Sequence, residues 1–358
     1  MYKNLILTTS GLNSNVAGTI FLKKNFDTSD NIWLNVNDYI EKIDYRFSLF
    51  KKKYSFFEKR ANDVLGKISN YLDKTYDNII VTLSSIEMIL IARVLIKKYK
   101  IKVIIWDDYD YLAKNQNLNK RFFCFLKNDF RAVVDDAWAI SIMGSNMINE
   151  YNLKSRKCYI LRNPSDKINF PEYDLCKKYI NIVFCGSLYA KKEWNSLVKA
   201  LKLNNYKIHG VDIKLHYIGY YPKLSVVKDS NIIHYGYVSE KELSVILKKM
   251  HIGYMPYWLS PIYSVPSRVS FPTKLTTYIE NGLFIFNHSP SDSEVTKIVD
   301  MYNAGISCDS YEADKIIESL ERLIKLIYSN SKANIINLMN EEISSEKIKK
   351  SVNFFLNH

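Results

Sequence analysis

One lysine stands where a helix must begin. In Tyr263-Ser264-Val265-Pro266-Ser267-Arg268-Val269-Ser270-Phe271-Pro272-Thr273-Lys274-Leu275, Pro272 ends whatever precedes it, and Thr273 and Lys274 open the next turn. A cation there opposes the macrodipole, which favours negative charge at a helix start. The placement makes sense if a ligand phosphate meets both the amine and the free backbone donors; otherwise the side chain snorkels to solvent from the first turn. A second stretch, Ile182-Val183-Phe184-Cys185-Gly186-Ser187-Leu188, reads as a buried strand running into a small-residue turn before a helix. Gly186 permits close backbone approach, the helix start offers N–H groups to a phosphate, and Lys191 and Lys192 follow closely. Strand–glycine–helix turns are common in α/β proteins, so this stretch alone is a weak signal. A third, Ile104-Ile105-Trp106-Asp107-Asp108-Tyr109-Asp110, places three carboxylates at the carboxyl end of a strand, where open α/β sheets bind ligands. Mutual repulsion there raises at least one pKa, although a helix N-cap with an acidic first turn would look the same.

Metal and disulfide chemistry have no comparable support. Cys124, Cys158, Cys176, Cys185 and Cys308 are odd in number and well separated, with no CxxC pair. His209 and His216 lie seven apart, and no HxxxH occurs.

The elements that must position these residues alternate. Strands are expected at Asn4–Thr9, Asn31–Val36, Asn78–Leu83, Lys102–Trp106 and Asp136–Ile142, with helices over Tyr39–Lys74 and Ile86–Tyr99 and after Ser145. Arg162-Asn163-Pro164-Ser165-Asp166 breaks the rhythm and reads as a polar linker. A second set follows, with strands at Ile180–Cys185, Ile213–Ile218, Asn231–His234, His251–Met255, Leu283–Asn287 and Gly305–Ser307. Its helices are expected at Lys192–Leu203, Glu240–Met250, Thr273–Asn281, Ser291–Tyr302 and Ala313–Tyr328, and Glu341–Asn357 reads as one more. The expected domains are 1–163 and 164–340, with a C-terminal helix, 341–358, packing back on the first. The 358 residues suit about two domains. An apolar content of 47% and a charged content of 24% exclude disorder, and no run is long enough to span a membrane. No signal peptide is legible, so a cytoplasmic location is expected.

The net charge is +13, of which +9 (26 basic, 17 acidic) falls before Pro164 and +4 (24 basic, 20 acidic) after Asn163. That excess suits an anionic partner such as a membrane, nucleic acid or phosphate-bearing substrate. Ile43, Phe47, Phe50, Tyr54 and Phe57 recur at helical spacing among Arg46, Lys51, Lys52, Lys53, Lys59 and Arg60. Asn119–Arg131 mixes four Phe with four basic residues. Such stripes suit an anionic membrane surface, or simply a helix facing the core.

Residues Ile182–Leu188, Ile232–Val238, Gly253–Tyr257 and Thr273–Phe286 follow the order and spacing of the nucleotide-sugar half of GT-B glycosyltransferases. "FPTKLTTYIENGLFIFN" resembles that superfamily's P-x-K-L-x-x-Y-x-x-x-G-x-P-x-I pattern; "VFCGSLY", "HYGYVSEKEL" and "IGYMPY" resemble its neighbouring strands. The nearest resemblance is to the glucuronosyltransferase of xanthan assembly and its relatives. It covers most of residues 180–307. The first domain shares only the strand–helix rhythm, the Asp107/Asp110 "D-x-x-D" phrase and "RNPSD" in place of a "PNGVD" hinge.

The resemblance implies a GT-B fold, two Rossmann-like doubly wound α/β domains facing across a cleft. It implies that Gly186, Ser187 and Leu188 line the diphosphate floor with Lys192 nearby, and that Thr273 and Lys274 meet the diphosphate. Tyr237 would lie beside the base and Tyr263 would close the pocket. Thr277 stands where many retaining enzymes carry a ribose-binding Glu, and the Glu-x7-Glu pair is replaced by Val269 and Thr277. An inverting, metal-independent transfer is therefore expected, with no cofactor and with Asp110 as first candidate base and Asp107 as second. The expected reaction moves a sugar from a nucleotide diphosphate, UDP first, to a glycan or lipid-linked saccharide in bacterial surface polysaccharide synthesis. The enzyme would lie against the inner face of the cell membrane. A nucleotide-sugar 2-epimerase and a basic nucleic-acid-binding protein are the alternatives; no nucleic-acid module is legible.

Overall fold

The computed structural model describes residues 3–14, 17–26, 30–40, 51–154, 156–171, 179–220, 229–329 and 332–358. The chain divides into two compact units, Met1–Pro164 with Ile348–His358, and Ser165–Lys347.

In the first unit the chain runs β1 (Asn4–Thr8), α1 (Ala17–Asn25), β2 (Asn31–Asn35), α2 (Tyr54–Lys67), α3 (Ser69–Leu72), β3 (Asn78–Thr82), α4 (Ile86–Leu95), β4 (Ile101–Ile105), α5 (Tyr109–Asn115), α6 (Phe123–Asp136), β5 (Ala139–Ile142), α7 (Asn146–Glu150) and β6 (Cys158–Ile160). The strands form one parallel sheet in the order β2-β1-β3-β4-β5-β6. Strands β1, β4 and β5 are buried along their whole length, and apart from single polar residues such as Lys102 and Ser141 they are apolar. The order reverses between β1 and β3, so this sheet's ligand crevice is expected at their carboxyl ends.

One expectation is corrected here, and two readings are sharpened. Asp136 ends α6 rather than starting a strand, because Phe130, Val133 and Val134 give that helix a buried face. Arg162–Asp166 does carry the boundary between the two units, which falls between Pro164 and Ser165, but much of it is buried. Arg162 is 2% exposed, its Nε donates to the Met143 carbonyl at 2.9 Å, and Asn163 and Ser165 are also buried. Of the aromatic stripe, Tyr54 and Phe57 are core residues, and the Tyr54 hydroxyl donates to Asp129 at 2.6 Å. Ile43, Phe47 and Phe50 lie outside the described residues.

The second unit runs β7 (Tyr179–Cys185), α8 (Lys191–Leu203), β8 (Lys207–Ile208), β9 (Val211–Ile218), β10 (Ile232–Gly236), α9 (Glu240–Leu247), β11 (Ile252–Pro256), α10 (Ser264–Val269), α11 (Thr273–Glu280), β12 (Phe284–His288), α12 (Glu294–Met301), β13 (Gly305–Cys308), α13 (Ala313–Tyr328) and α14 (Lys332–Glu342). Its sheet is ordered β10-β9-β7-β11-β12-β13, parallel throughout, with the short β8 antiparallel to β9. The tail is two helices rather than one. After α14 the chain breaks at Ile343–Ser344, where the Ser345 N–H donates to Asp166 at 2.8 Å, and α15 (Ser345–Asn357) begins.

Most of α15 belongs to the first unit. Its C-terminal carbonyls are capped by the buried Lys102, whose Nζ donates to Phe355 O at 2.7 Å and Leu356 O at 2.5 Å. A cation is the natural partner for that end of a helix. No described helix is long and apolar enough to cross a membrane.

Candidate functional site

In the second unit the strand order reverses between β7 and β11. The two strands pair only at Ile182–Ile252 and Val183–Gly253, and one side chain fills the gap beyond. The Tyr278 hydroxyl accepts from Cys185 N–H at 3.0 Å and lies 3.2–3.3 Å from the carbonyls of Val183 and Tyr254. Glycine at 253 makes this possible, since a Cβ there would fall 2.4 Å from the Tyr278 ring. Lys274 precedes Tyr278 by one turn of α11 and therefore shares its face. Fixing Tyr278 at the split thus carries Lys274 over the end of β7.

The Lys274 ammonium is buried and has no hydrogen-bond partner. It rests on two aromatic faces, 4.4 Å from the Phe184 centroid and 4.6 Å from that of Tyr189. Burial lowers its pKa to about 8, against a small opposing pull from Cys185. Beside it, β7 ends in Gly186 at φ +97°, followed by Ser187, which is exposed, and Leu188, which is buried. The Gly186 N–H donates to Ile218 O at 2.8 Å. Gly219 packs so closely that a Cβ would lie 2.5 Å from the Gly186 carbonyl, and its N–H donates to Gly236 O at 2.9 Å. Three glycine turns therefore line the carboxyl ends of β7, β9 and β10.

An aromatic group closes the other side. Tyr189 lies 4.9 Å from Trp258 and 5.5 Å from Tyr257, and Trp258 stacks on Tyr263 at 4.5 Å. Glu193, buried at the start of α8, pins this segment, its Oε1 accepting from Leu259 N–H at 2.9 Å and from the Tyr311 hydroxyl at 2.7 Å.

The structure thus sets Lys274 on Phe184 at the end of β7, from which the chain runs directly into Gly186, Ser187 and Leu188, and links it through Tyr189 and Trp258 to Tyr263. Other expected residues stand apart. Lys192 is exposed, with its Nζ 3.8 Å above the Tyr311 ring. Thr273 is exposed, and the Thr277 hydroxyl is turned back on its own helix, 3.5 Å from the Thr273 carbonyl. Tyr237 lies two strands away at the end of β10, 66% exposed and stacked on Tyr220 at 5.7 Å. Sequence reasoning missed Tyr220, Trp258 and Glu193, and gave no role to Tyr189 and Tyr278, although both stand inside the phrases VFCGSLY and FPTKLTTY.

In the first unit the three carboxylates separate by role. Asp108 is the N-cap of α5, accepting from Asp110 N–H at 2.8 Å, Tyr111 N–H at 3.2 Å and the Tyr151 hydroxyl at 3.0 Å. Asp110 pairs with Lys114 one turn on. Asp107 makes neither kind of contact, and its pKa rises to about 6, through burial first and the Asp108 charge second. On the same edge of the sheet, the loop after β1 is tied by Ser14 Oγ to Thr19 Oγ1 at 2.8 Å. Among the described residues, no three His, Cys, Asp or Glu side chains converge as a metal site would require.

No protein-family model matches the sequence, and no curated protein sequence does. Solved structures do resemble it. Sucrose-phosphate synthase from Thermosynechococcus elongatus is 9% identical over 98% of this chain and 98% of its own, with a TM-score of 0.69. WaaG, a glycosyltransferase involved in lipopolysaccharide biosynthesis, is 10% identical over 98% of this chain and 99% of its own, with a TM-score of 0.60. A TarM mutant from S. aureus, solved with fondaparinux, α-GlcNAc-glycerol and UDP, is 12% identical over 82% of this chain and 59% of its own, with a TM-score of 0.59. At such identities the likeness shows the fold, and the fold is GT-B.

Proposed function

We propose that the chain is a glycosyltransferase that moves a sugar from a nucleotide diphosphate, UDP first, to a glycan or lipid-linked saccharide of a bacterial surface polysaccharide. The observation that carries this reading is the buried Lys274 ammonium, which has aromatic faces but no hydrogen-bond partner, at the switch point of a parallel sheet. A buried, unsatisfied cation is costly unless an anion reaches it. The Lys-Leu-x-x-Tyr helix start favours relatives of the xanthan glucuronosyltransferase within this fold, and the TarM complex with UDP favours that nucleotide.

In this reading the acceptor hydroxyl attacks the anomeric carbon with inversion while the bond to the diphosphate breaks. The leaving group departs with the electron pair, and Lys274 with the Ser187 and Leu188 N–H groups meets its charge. No metal is required for that role. Asp107 takes the acceptor proton, displacing Asp110 as first candidate, because a carboxyl near pKa 6 accepts protons usefully near neutrality whereas Asp110 is engaged with Lys114. Tyr237 and Tyr263 flank the nucleotide, while Thr273, Thr277 and Lys192 border the site.

A peripheral seat on the inner face of the membrane is supported by Phe125, 51% exposed among exposed Lys120, Arg121 and Lys127, and by exposed Lys51 and Lys53.

The test is a thermal-shift screen across nucleotide sugars followed by product analysis. One ligand should stabilise the fold, by about 2.7 kcal/mol at a hundredfold excess over its Kd, and a glycoside should form only with acceptor. Donor consumed without acceptor or glycoside would point to an epimerase. Stabilisation by random oligonucleotide alone would point to a nucleic-acid binder.

A further inference from the structure

The Lys274 ammonium is covered before any ligand arrives. One face of its surroundings, Phe184, belongs to β7 and is fully buried, so it is fixed. The other, Tyr189, lies on the Gly186–Ala190 connection and is only half-buried. Its carbonyl accepts from Trp258 Nε1 at 3.3 Å, and its ring packs against Tyr257 and Trp258 with the hydroxyl buried. An aromatic face attracts a cation but donates no lone pair in line with an N–H, so the ammonium is held without being hydrogen-bonded. Burial of the amine is reflected in its lowered pKa, which bare water around it would not produce.

We propose that the Tyr189 ring is a removable cover over Lys274, which swings off the amine so that a diphosphate oxygen can take its place. This rests on the nucleotide-sugar reading of the site and adds a positioning residue to it. Exchanging a ring face for a charge-assisted hydrogen bond is favourable, because phosphate oxygens satisfy the ammonium protons that the ring leaves unmet. Between ligands the cover keeps the amine away from water and from stray anions. The movement is a side-chain rotation that gives up the ring's contacts with Tyr257 and Trp258, while the backbone hydrogen bond to Trp258 can stay in place. Trp258 is the natural reporter, being in contact with the ring that moves.

Lysine acetylation with a trace of acetic anhydride, read residue by residue by mass spectrometry, tests the cover without any nucleotide. In the wild-type protein Lys274 should react at least tenfold more slowly than exposed Lys191. Tyr189→Ala should bring it to within about threefold of Lys191, whereas Tyr189→Phe should keep the protection, because the ring and not the hydroxyl does the covering. Fast wild-type labelling, or protection that survives in Tyr189→Ala, would overturn the proposal. A second measurement needs no folding-sensitive variant at residue 189. UDP should shift the tryptophan emission of the wild type but not that of Trp258→Phe, and UDP binding that leaves Trp258 emission unchanged would also overturn it. Should the labelling behave as expected while neither UDP nor any nucleotide sugar stabilises the fold, the cover stands and the nucleotide reading fails instead.

Discussion

Lys274 and Asp107 are both perturbed by burial, which favours the neutral form of each and so moves their pKa values in opposite directions. Lowering the amine to about 8 and raising the carboxyl to about 6 leaves a window between them in which Asp107 is ionised and Lys274 protonated. The pH profile of kcat/KM, which reports the free enzyme, should therefore rise through about 6 and fall through about 8. A profile flat across that range would remove both residues from the reaction. Asp107→Asn should cost roughly 10²–10⁴ in turnover with donor binding unchanged, while Asp110→Asn should cost far less; equal losses would return Asp110 to first place. At this scale the sequence exposes Lys274 through its odd place at a helix start, and it places Asp110 ahead of Asp107, the reverse of the order proposed here. The pairing of Asp110 with Lys114 is readable from its i, i+4 spacing, but the Tyr151 hydroxyl that completes the shell of Asp108 comes from 43 residues further on, and spacing does not encode that.

Helix α11 works because Tyr278 plugs the split between β7 and β11. Tyr278→Phe would leave the Cys185 N–H without its acceptor at 3.0 Å, an expected cost of about 1–3 kcal/mol in chemical denaturation. It should also weaken nucleotide binding, since Lys274 loses its anchor. Gly219→Ala should be worse for the site than for the sheet: φ +151° and a 2.5 Å approach to the Gly186 carbonyl would force the turn itself to move. Unaltered UDP affinity in that variant would separate the glycine turn from the ligand. Strands such as β7, β11 and β12 are legible because both faces are buried, leaving continuous apolar runs bounded by turns. The break between α14 and α15 is not, because Ser344 and Ser345 carry no Gly or Pro and the cap at 345 comes from Asp166, far away in sequence.

Acid should test the second unit as a whole. Asn181, near the start of β7, links two buried histidines: its N–H donates to His251 Nδ1 at 3.0 Å, and its Oδ1 lies 3.2 Å from His216 Nε2. Burial holds both histidines near pKa 4, against an ordinary 6.5 in the unfolded chain. Between those values the unfolded state binds more protons, so stability intact above about 6.5 should drain as pH falls toward 4. The loss is on the order of 3 kcal/mol per histidine. Urea midpoints at pH 7.5, 5.5 and 4.5 should fall in that order, and replacing His216 with Gln should flatten the trend. The whole-chain charge excess belongs to the membrane proposal: Lys51, Lys52 and Lys53 changed together to Glu should release the protein from anionic liposomes, and continued sedimentation with them would refute it. At this scale the α/β alternation and two-part organisation are readable from pattern. The burial of Arg162 and the capping of α15 by Lys102 are not, since both depend on contacts with distant main-chain carbonyls.

Calorimetry of UDP with the wild-type protein and with Lys274→Ala tests the central claim most directly. The account predicts measurable binding to the first and at least a tenfold loss in the second, about 1.4 kcal/mol, with the melting temperature of the variant unchanged or higher because a buried unpaired charge has been removed. Equal affinities in a variant that remains folded would contradict it.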